Sequence, residues 1–395
     1  MRKLHVLIVG GGFGGIKAAL ELSKHDHVAV TLLSDRSDFR YYPSLYHTAT
    51  GGLHTQSSIP LSDIVPTDKV TLAHGNIESI DRDHKTVKTH EGHIIPYDEL
   101  ILALGVVTNY FGIKGLDKYS YGIKSLEEIR RFKTHLHKQL GDGQQPEPNF
   151  IIIGAGPTGI ELAGALPDYL HTIMRKHGIK HRAVHIDLIE AAPRLLPHSP
   201  KATSRAVLRQ LRHLGIKLYL GQAVQGETID SLTVNGKAII SQTVVWTAGT
   251  ANHPFFKHNH FAISDRAKVI VNKFLESEPH IYVIGDNAAT PYSGMAQTAL
   301  YDGQFVAHNL VRFIDHKKPR SYKPKQPITV IPAGPRWAAV DGKRFHFTGW
   351  KGWLVRELAD FIGFRDYEPW WKAAEQWSTE FGKEEDCPIC ASEPS

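Results

Sequence analysis

Leu4-His5-Val6-Leu7-Ile8-Val9-Gly10-Gly11-Gly12-Phe13-Gly14-Gly15 is the stretch whose reading decides the fold. An apolar-rich run of this length, ending on glycine, reads as a strand buried on both faces, as in a parallel sheet. Gly10, Gly12 and Gly15 fall at the G-x-G-x-x-G spacing, and residues 16–24 read as a helix. The first glycine permits a tight turn. The second lets backbone approach phosphate, and the third lets helix and strand pack closely. A second copy, Gly154-Ala155-Gly156-Pro157-Thr158-Gly159, follows the apolar run 150–153 and precedes a helical stretch at 160–166. One such turn points to one dinucleotide on a helix N-terminus. Two in one chain predict two dinucleotides that meet, which is an arrangement for electron transfer.

Each turn has a partner at the end of the next strand. After the first, residues 28–33 read as a strand, and Asp35 lies about twenty residues beyond Gly15, where a ribose-binding acid belongs. Ser34 is the alternative occupant of that position. After the second, strand 183–190 ends on Glu190, which would accept from a ribose 2′-hydroxyl and repel a 2′-phosphate. That favours NADH, although Arg194 nearby leaves NADPH open. Strand-like runs at 97–105 and 244–249 end on Gly105 and Gly249, and a run at 280–285 leads through Gly285 into Asp286. A carboxylate at the C-terminal edge of a parallel strand sits where ligands bind in open α/β sheets, or else caps a turn. Glu161 follows the second turn by two residues. It serves either as a helix-dipole partner, at ~0.3–1 kcal/mol, or as a group beside the nicotinamide.

The expected class is α/β: two Rossmann-like dinucleotide-binding domains, one inserted in the other, plus a C-terminal amphipathic helical region. The expected boundaries are 1–115 and 265–325 for the first domain, 116–264 for the inserted one, and 326–395 for the C-terminal region. Net charge is +6, and no Lys/Arg run carries interleaved aromatics, which argues against nucleic acid. A mildly basic balance is either an ordinary solvated surface or an attraction to anionic membrane. The apolar start stops at three glycines with no small-residue cleavage site, unlike a signal peptide. The two cysteines, Cys387 and Cys390, fall in a stretch that reads as a flexible acidic tail. They exclude a disulfide framework, fit a reducing compartment, and supply only half a zinc site. The 24 histidines show no metal-ligating spacing, so no metal is expected.

With both turns, their partners and the Gly285-Asp286 strand in hand, the chain resembles the two-dinucleotide-fold flavoprotein oxidoreductases. The resemblance implies that Gly10, Gly12, Phe13, Gly14, Gly15, Ser34 and Asp35 hold the ADP half of FAD. It places Gly105 beside FAD, Asp286 on the ribityl hydroxyls, and Gly249 near both dinucleotides. It assigns Gly154, Gly156, Thr158, Gly159 and Glu190 to NADH. Three local stretches resemble the type II, non-proton-pumping NADH:quinone oxidoreductases of respiratory chains. They are Tyr41-Tyr42-Pro43-Ser44-Leu45-Tyr46, Gly156-Pro157-Thr158-Gly159-Ile160-Glu161, and Ala296-Gln297-Thr298-Ala299. The last resembles the start of an Ala-Gln-x-Ala-x-Gln quinone motif, in which the second glutamine position here is Tyr301. The resemblance makes Glu161, Gln297 and Tyr301 the catalytic candidates and adds Pro43 and Ala296 to the cofactor contacts. On the residues alone, Gln297 reads equally as an ordinary helix residue. No cysteine precedes residue 387, which disfavours the disulfide-reducing and sulfide-oxidising relatives.

From Trp350, apolar residues at Trp350, Trp353, Leu354, Leu358, Phe361, Ile362 and Phe364 mark a helical face, followed by Pro369-Trp370-Trp371 and Trp377. Tryptophan at this density suits a bilayer interface, with Lys351, Arg356, Arg365 and Lys372 available for headgroups. Glu357 interrupts the stripe, and the alternative is packing on this protein or in a homodimer. The resemblance implies a cytoplasmic enzyme, peripheral on the inner face of the cell membrane, that delivers electrons from NADH through FAD to a quinone. The rivals are a soluble NADH-dependent reductase of a small redox protein and a slow-turnover NADH/FAD redox sensor.

Overall fold

The computed structural model describes residues 2–141, 149–180, 182–365, 367, 372–374 and 377. The chain opens with β1 (Leu4–Val9), α1 (Phe13–Leu22), β2 (Val28–Ser34), a short α2 (Leu45–Ala49), β3 (Val70–His74), β4 (Glu99–Leu102) and β5 (Val106–Thr108). Next come α3 (Leu126–Gly141), β6 (Asn149–Ile153), α4 (Pro157–Lys176), β7 (His185–Glu190), α5 (Lys201–His213), β8 (Lys217–Leu220), β9 (Thr243–Trp246) and β10 (Thr250–Asn252). The chain continues with β11 (Glu276–Glu278), β12 (Ile281–Val283), α6 (Ala296–Ile314), β13 (Thr329–Pro332), β14 (Ala338–Asp341), β15 (His346–Gly349) and α7 (Trp350–Arg365).

Two mainly parallel sheets dominate, each with a glycine turn leaving a central strand, and only the edge strand β11 of the larger one runs antiparallel. The first is six-stranded, in the order β11-β12-β4-β1-β2-β3. It therefore takes strands from both sides of the stretch that forms the second. The second is four-stranded, in the order β8-β7-β6-β9. Their registers correspond: Val9 pairs with Leu33 and Leu102, as Ile153 pairs with Ile189 and Trp246. Leu7, Ile8, Ile151 and Ile152 are fully buried, as strands covered on both faces require. The antiparallel pair β5–β10 carries the chain out to the second sheet and back.

Sequence periodicity located these elements but missed their ends. Helix α1 starts at Phe13 rather than 16, because Gly14 and Gly15 are already helical. Helix α4 runs through Pro167 to Lys176 instead of stopping at 166. A helix-interior proline forfeits one hydrogen bond, and burial of Tyr169, Leu170, Ile173 and Met174 offsets that loss.

The small sheet β13-β14-β15 lies between α4, α5 and α7. Gly164 makes this possible, since a Cβ there would strike the backbone of Ala333 and Gly334. Helix α7 then folds back onto the first sheet's side of the molecule, where Phe364 and Tyr367 join Phe13, Phe39 and Tyr41 in one aromatic cluster.

Candidate functional site

The two glycine turns are built alike. Gly10 and Gly154 adopt φ of +116° and +104°, a region open to glycine, and each donates its N–H to the adjacent strand, at Leu33 O and Ile189 O, 2.8 Å in both cases. A Cβ on Gly15 would collide with Gly10 O, and one on Gly159 with Gly154 O. Gly12 and Gly156 cap their helices without a side-chain acceptor, and beside each there is open space for a Cβ. Each helix thus presents first-turn N–H groups and a positive dipole end to open space beside its glycine turn. Those features fit a pyrophosphate at both turns.

The shared strand register settles which residue ends each second strand. Since Leu33 and Ile189 are equivalent, Ser34 stands where Glu190 stands, and Asp35 lies one residue further on, ion-paired with Arg36 at 3.2 Å. Ser34 Oγ accepts from Arg36 N and lies beside Gly11. Glu190 accepts from Ala155 N at 2.6 Å and Ala192 N at 2.8 Å, so its carboxylate is fixed against the turn. Arg194 closes its own loop by donating to Ser199 O and Pro197 O.

Asp286 sits in a tight turn (Gly285–Asn287) at the end of β12, and burial raises its carboxyl above the usual range against the pull of Lys268. Lys268 Nζ donates to Asp286 O and to Ser293 Oγ. Below it, Asp302 accepts from Gly285 N at 3.0 Å and Tyr322 Oη at 2.6 Å, and burial lifts its carboxyl to about 6. A residue that sequence reading passed over stands next: Asn287, fully buried. It accepts from Gly105 N and donates to Gly105 O and to Asn252 Oδ1. It thereby locks both strands of the β5–β10 crossover to the Asp286 turn. Its signal was only its place after Gly285-Asp286.

The catalytic candidates are not gathered in one place. Gln297 donates to Ile328 O and accepts from Ile328 N, both at 3.1 Å, at the exposed start of α6 beside Ala296. Tyr301 packs on Tyr322 with Lys325 Nζ 4.1 Å from its ring centre. Glu161 instead lines a cavity of about 460 Å³. The cavity is walled by α2 and the residue after it (Tyr46, Thr50), α3 (His137), the α4 face, the β13–β14 turn (Gly334, Arg336) and α7 (Trp353, Arg356). Burial lifts the Glu161 carboxyl to about 7, partly opposed by Arg356 and reinforced by Asp360.

Arg356 corrects the expectation of a headgroup contact. It is buried, paired with Asp360 at 3.0 Å, and donates to Pro43 O at 2.9 Å. Tyr41 Oη donates to Asp360 Oδ1, completing a polar joint between α7 and the segment after the first strand pair. The outward face of α7 is the apolar one. Trp350, Leu354, Leu358 and Ile362 are 62%, 42%, 60% and 58% exposed, in a single ridge at four-residue spacing. Phe364, by contrast, is buried, and Glu357 turns to the cavity rather than interrupting the ridge. No helix among the described residues is long and apolar enough to cross a membrane. No metal-ligating cluster occurs among them, and Trp370, Trp371, Cys387 and Cys390 lie outside them.

A profile of the pyridine nucleotide-disulphide oxidoreductase family matches residues 4–303. The type II NADH:quinone oxidoreductase Ndh of Mycobacterium tuberculosis is 27% identical over 402 residues, covering 92% of this chain and 86% of the relative. The type II NADH:quinone oxidoreductase of Staphylococcus saprophyticus is 27% identical over 334 residues, covering 78% and 82%. Among solved structures, NDH2 of Plasmodium falciparum in complex with NADH gives a TM-score of 0.84 at 17% identity, covering 96% of this chain and 98% of that one. The sulfide:quinone oxidoreductase of Aquifex aeolicus gives 0.76 at 23%, covering 94% and 92%. At those identities the likeness is one of fold.

Proposed function

The chain belongs to the pyridine nucleotide-disulphide oxidoreductase family, and from that membership we propose that it passes hydride equivalents from NADH to a quinone at a membrane surface, without pumping protons. It is an FAD-dependent oxidoreductase of pyridine nucleotides, with curated relatives named type II NADH:quinone oxidoreductase. The observation that carries the acceptor reading is the cavity. It joins Glu161, at the mouth of the second glycine turn, to a wall made by a helix whose outer ridge is apolar.

FAD, when bound, supplies a ring that accepts hydride and gives up electrons in a pair. The chain's own residues do the rest. Gly10 and Gly12 let the α1 N-terminus take the pyrophosphate, with Ser34 and Asp35 at the ribose end. Asp286, steadied by Lys268, would hold the ribityl hydroxyls, and Gly105, fixed by the Asn287 clamp, would border the ring. Gly154, Gly156, Thr158 and Gly159 take NADH, and Glu190 reads its ribose. The engagement of Arg194 in its own loop supports NADH over NADPH. Glu161, with its carboxyl near 7, holds and releases a proton in the cavity at neutral pH. Gln297 and Tyr301 stand apart on α6, outside the cavity lining, so an acceptor held in the cavity meets Glu161 and not these two.

On this reading residues 1–115 with 265–325 bind FAD, 116–264 bind NADH, and 326–395 associate with membrane. The α7 ridge, flanked by exposed Lys351 and Arg365, supports peripheral contact with an anionic inner membrane face. Steady-state NADH oxidation by the purified protein with a short-chain quinone, set beside ferricyanide, tests the assignment. Comparable turnover with both is expected. A normal ferricyanide rate with negligible quinone reduction overturns the quinone acceptor and leaves the flavin reading standing.

A further inference from the structure

The loop that follows the crossover strand β5 carries an aromatic ring that the fold does not need. Phe111 is 62% exposed, and its backbone sits at φ +53°, a costly region for a residue with a bulky side chain. Both features count against it in the free protein. The conformation is nevertheless held firmly. Asn109 N donates to Gly249 O at 3.3 Å, Asn109 O accepts from Trp246 Nε1 at 3.1 Å, and Asn109 Oδ1 accepts from Phe111 N at 2.8 Å. Tyr110 and Phe111 both pack on Trp246, with ring centres 6.0 and 6.2 Å away.

The tip of the ring lies over Gly249, where a Cβ would come within 2.5 Å of it. One residue back, Ala248 lies against Gly154, where a Cβ would strike it. The ring, Gly249, Ala248 and the second glycine turn therefore form one continuous surface. It stands at the C-terminal edge of the second sheet, where ligands of open α/β sheets bind. Strand order fixes which half of a dinucleotide reaches the ring. In the order β8-β7-β6-β9, Glu190 ends β7 on one side of the turn and Trp246 ends β9 on the other. With the pyrophosphate on the α4 N-terminus and the adenosine ribose at Glu190, the nicotinamide half runs across β6 to the end of β9. We propose that Phe111 is the wall against which the nicotinamide half of NADH lies, and that its ring positions that half for hydride transfer. The proposal rests on the assignment of NADH to the second glycine turn.

A bound nucleotide would take the exposed ring face out of water. Because Asn109 holds the loop in advance, little has to be ordered on binding. The same loop is tied to the other half of the reaction. Val106 pairs with Asn252 and Thr108 with Thr250, so the β5–β10 ribbon joins Phe111 and Gly249 at one end to Gly105 at the other. The ring is thus fixed relative to the FAD-side strand as well as to the NADH turn, as setting one reacting ring over another requires.

The test uses the FAD-loaded enzyme with Phe111→Asn, which removes the ring and suits the left-handed backbone, and Phe111→Tyr, which keeps the ring. With ferricyanide as acceptor, kcat/KM for NADH is expected to fall roughly tenfold in Phe111→Asn and to stay within about threefold of wild type in Phe111→Tyr. The Ki of ADP as a competitor of NADH, which carries only the adenosine half, should stay within about twofold in both. Independently of turnover, calorimetric titration with NAD⁺ should show the same weakening, while the melting temperature of Phe111→Asn holds or rises. A ring that serves the fold gives the opposite pattern. Unchanged NAD⁺ affinity, equal weakening of NAD⁺ and ADP, or a lower melting temperature overturns the role. A wild type that binds neither NAD⁺ nor ADP sinks the assignment of NADH to this turn, and the ring's role with it. Wild-type binding that Phe111→Asn leaves intact removes the ring alone.

Discussion

Glu161 holds its proton because of residues far from it in sequence. Its spacing after Gly159 is legible in the chain, but the burial that raises its carboxyl is a tertiary effect, and the charges that then oppose and reinforce it, Arg356 and Asp360, come from α7. A carboxyl raised from 4.5 to about 7 on folding binds a proton in the folded state that the unfolded chain has already lost. Stability from this group is therefore complete below about 4.5 and drains away as pH climbs to 7. Glu161→Gln should match wild type near pH 4.5 and gain on it at pH 8, by on the order of 1–3 kcal/mol. Calorimetry at the two pH values checks this, and an equal difference at both would count against the raised carboxyl. Ser34 makes the opposite point. Counting from Gly15 favours Asp35, and only pairing of β1 with β2 shows that Ser34 is the partner of Glu190. A one-residue ambiguity in strand ends lies below what composition can resolve.

At the scale of elements, the strand–glycine–helix units were readable because each glycine answers a local constraint. Gly10 and Gly154 need positive φ, while Gly15 and Gly159 have no room for a Cβ. Gly12 is different, since a side chain there would enter open space. Gly12→Asp should therefore be tolerated by the fold and even cap α1, stabilising the apoprotein by a few tenths of a kcal/mol. The same carboxylate would take the first-turn N–H groups and repel the pyrophosphate. Flavin content, read from visible absorbance against protein, should drop severely while the apoprotein melting temperature holds or rises. Retained flavin would remove the α1 N-terminus from the FAD site. Helix α7 was readable as a helix but not in its orientation. Its inward face carries Arg356 and Asp360, which find partners in Pro43, Tyr41 and each other, and that leaves the apolar ridge outside.

The whole molecule brings together five stretches that no local pattern connects: α2, His137 of α3, the α4 face, the β13–β14 turn and α7. Their meeting leaves the α7 ridge outside, and its use follows from what surrounds it. Leu354→Glu with Leu358→Glu should abolish flotation with anionic vesicles, with ferricyanide reduction retained, because neither side chain reaches the cavity. Unchanged flotation would assign the ridge to another contact, and a shift in sedimentation would point to a homodimer. The sequence by itself determined the two parallel sheets, their glycine turns, the NADH-favouring Glu190 and the helical end, because these follow from period, φ and spacing within about thirty residues. Tertiary structure alone decided the Ser34 register, the Asn287 clamp, the burial of Arg356, and the cavity that Glu161 lines. Those depend on which surfaces meet, and contacts across the chain carry no signature in the order of its residues.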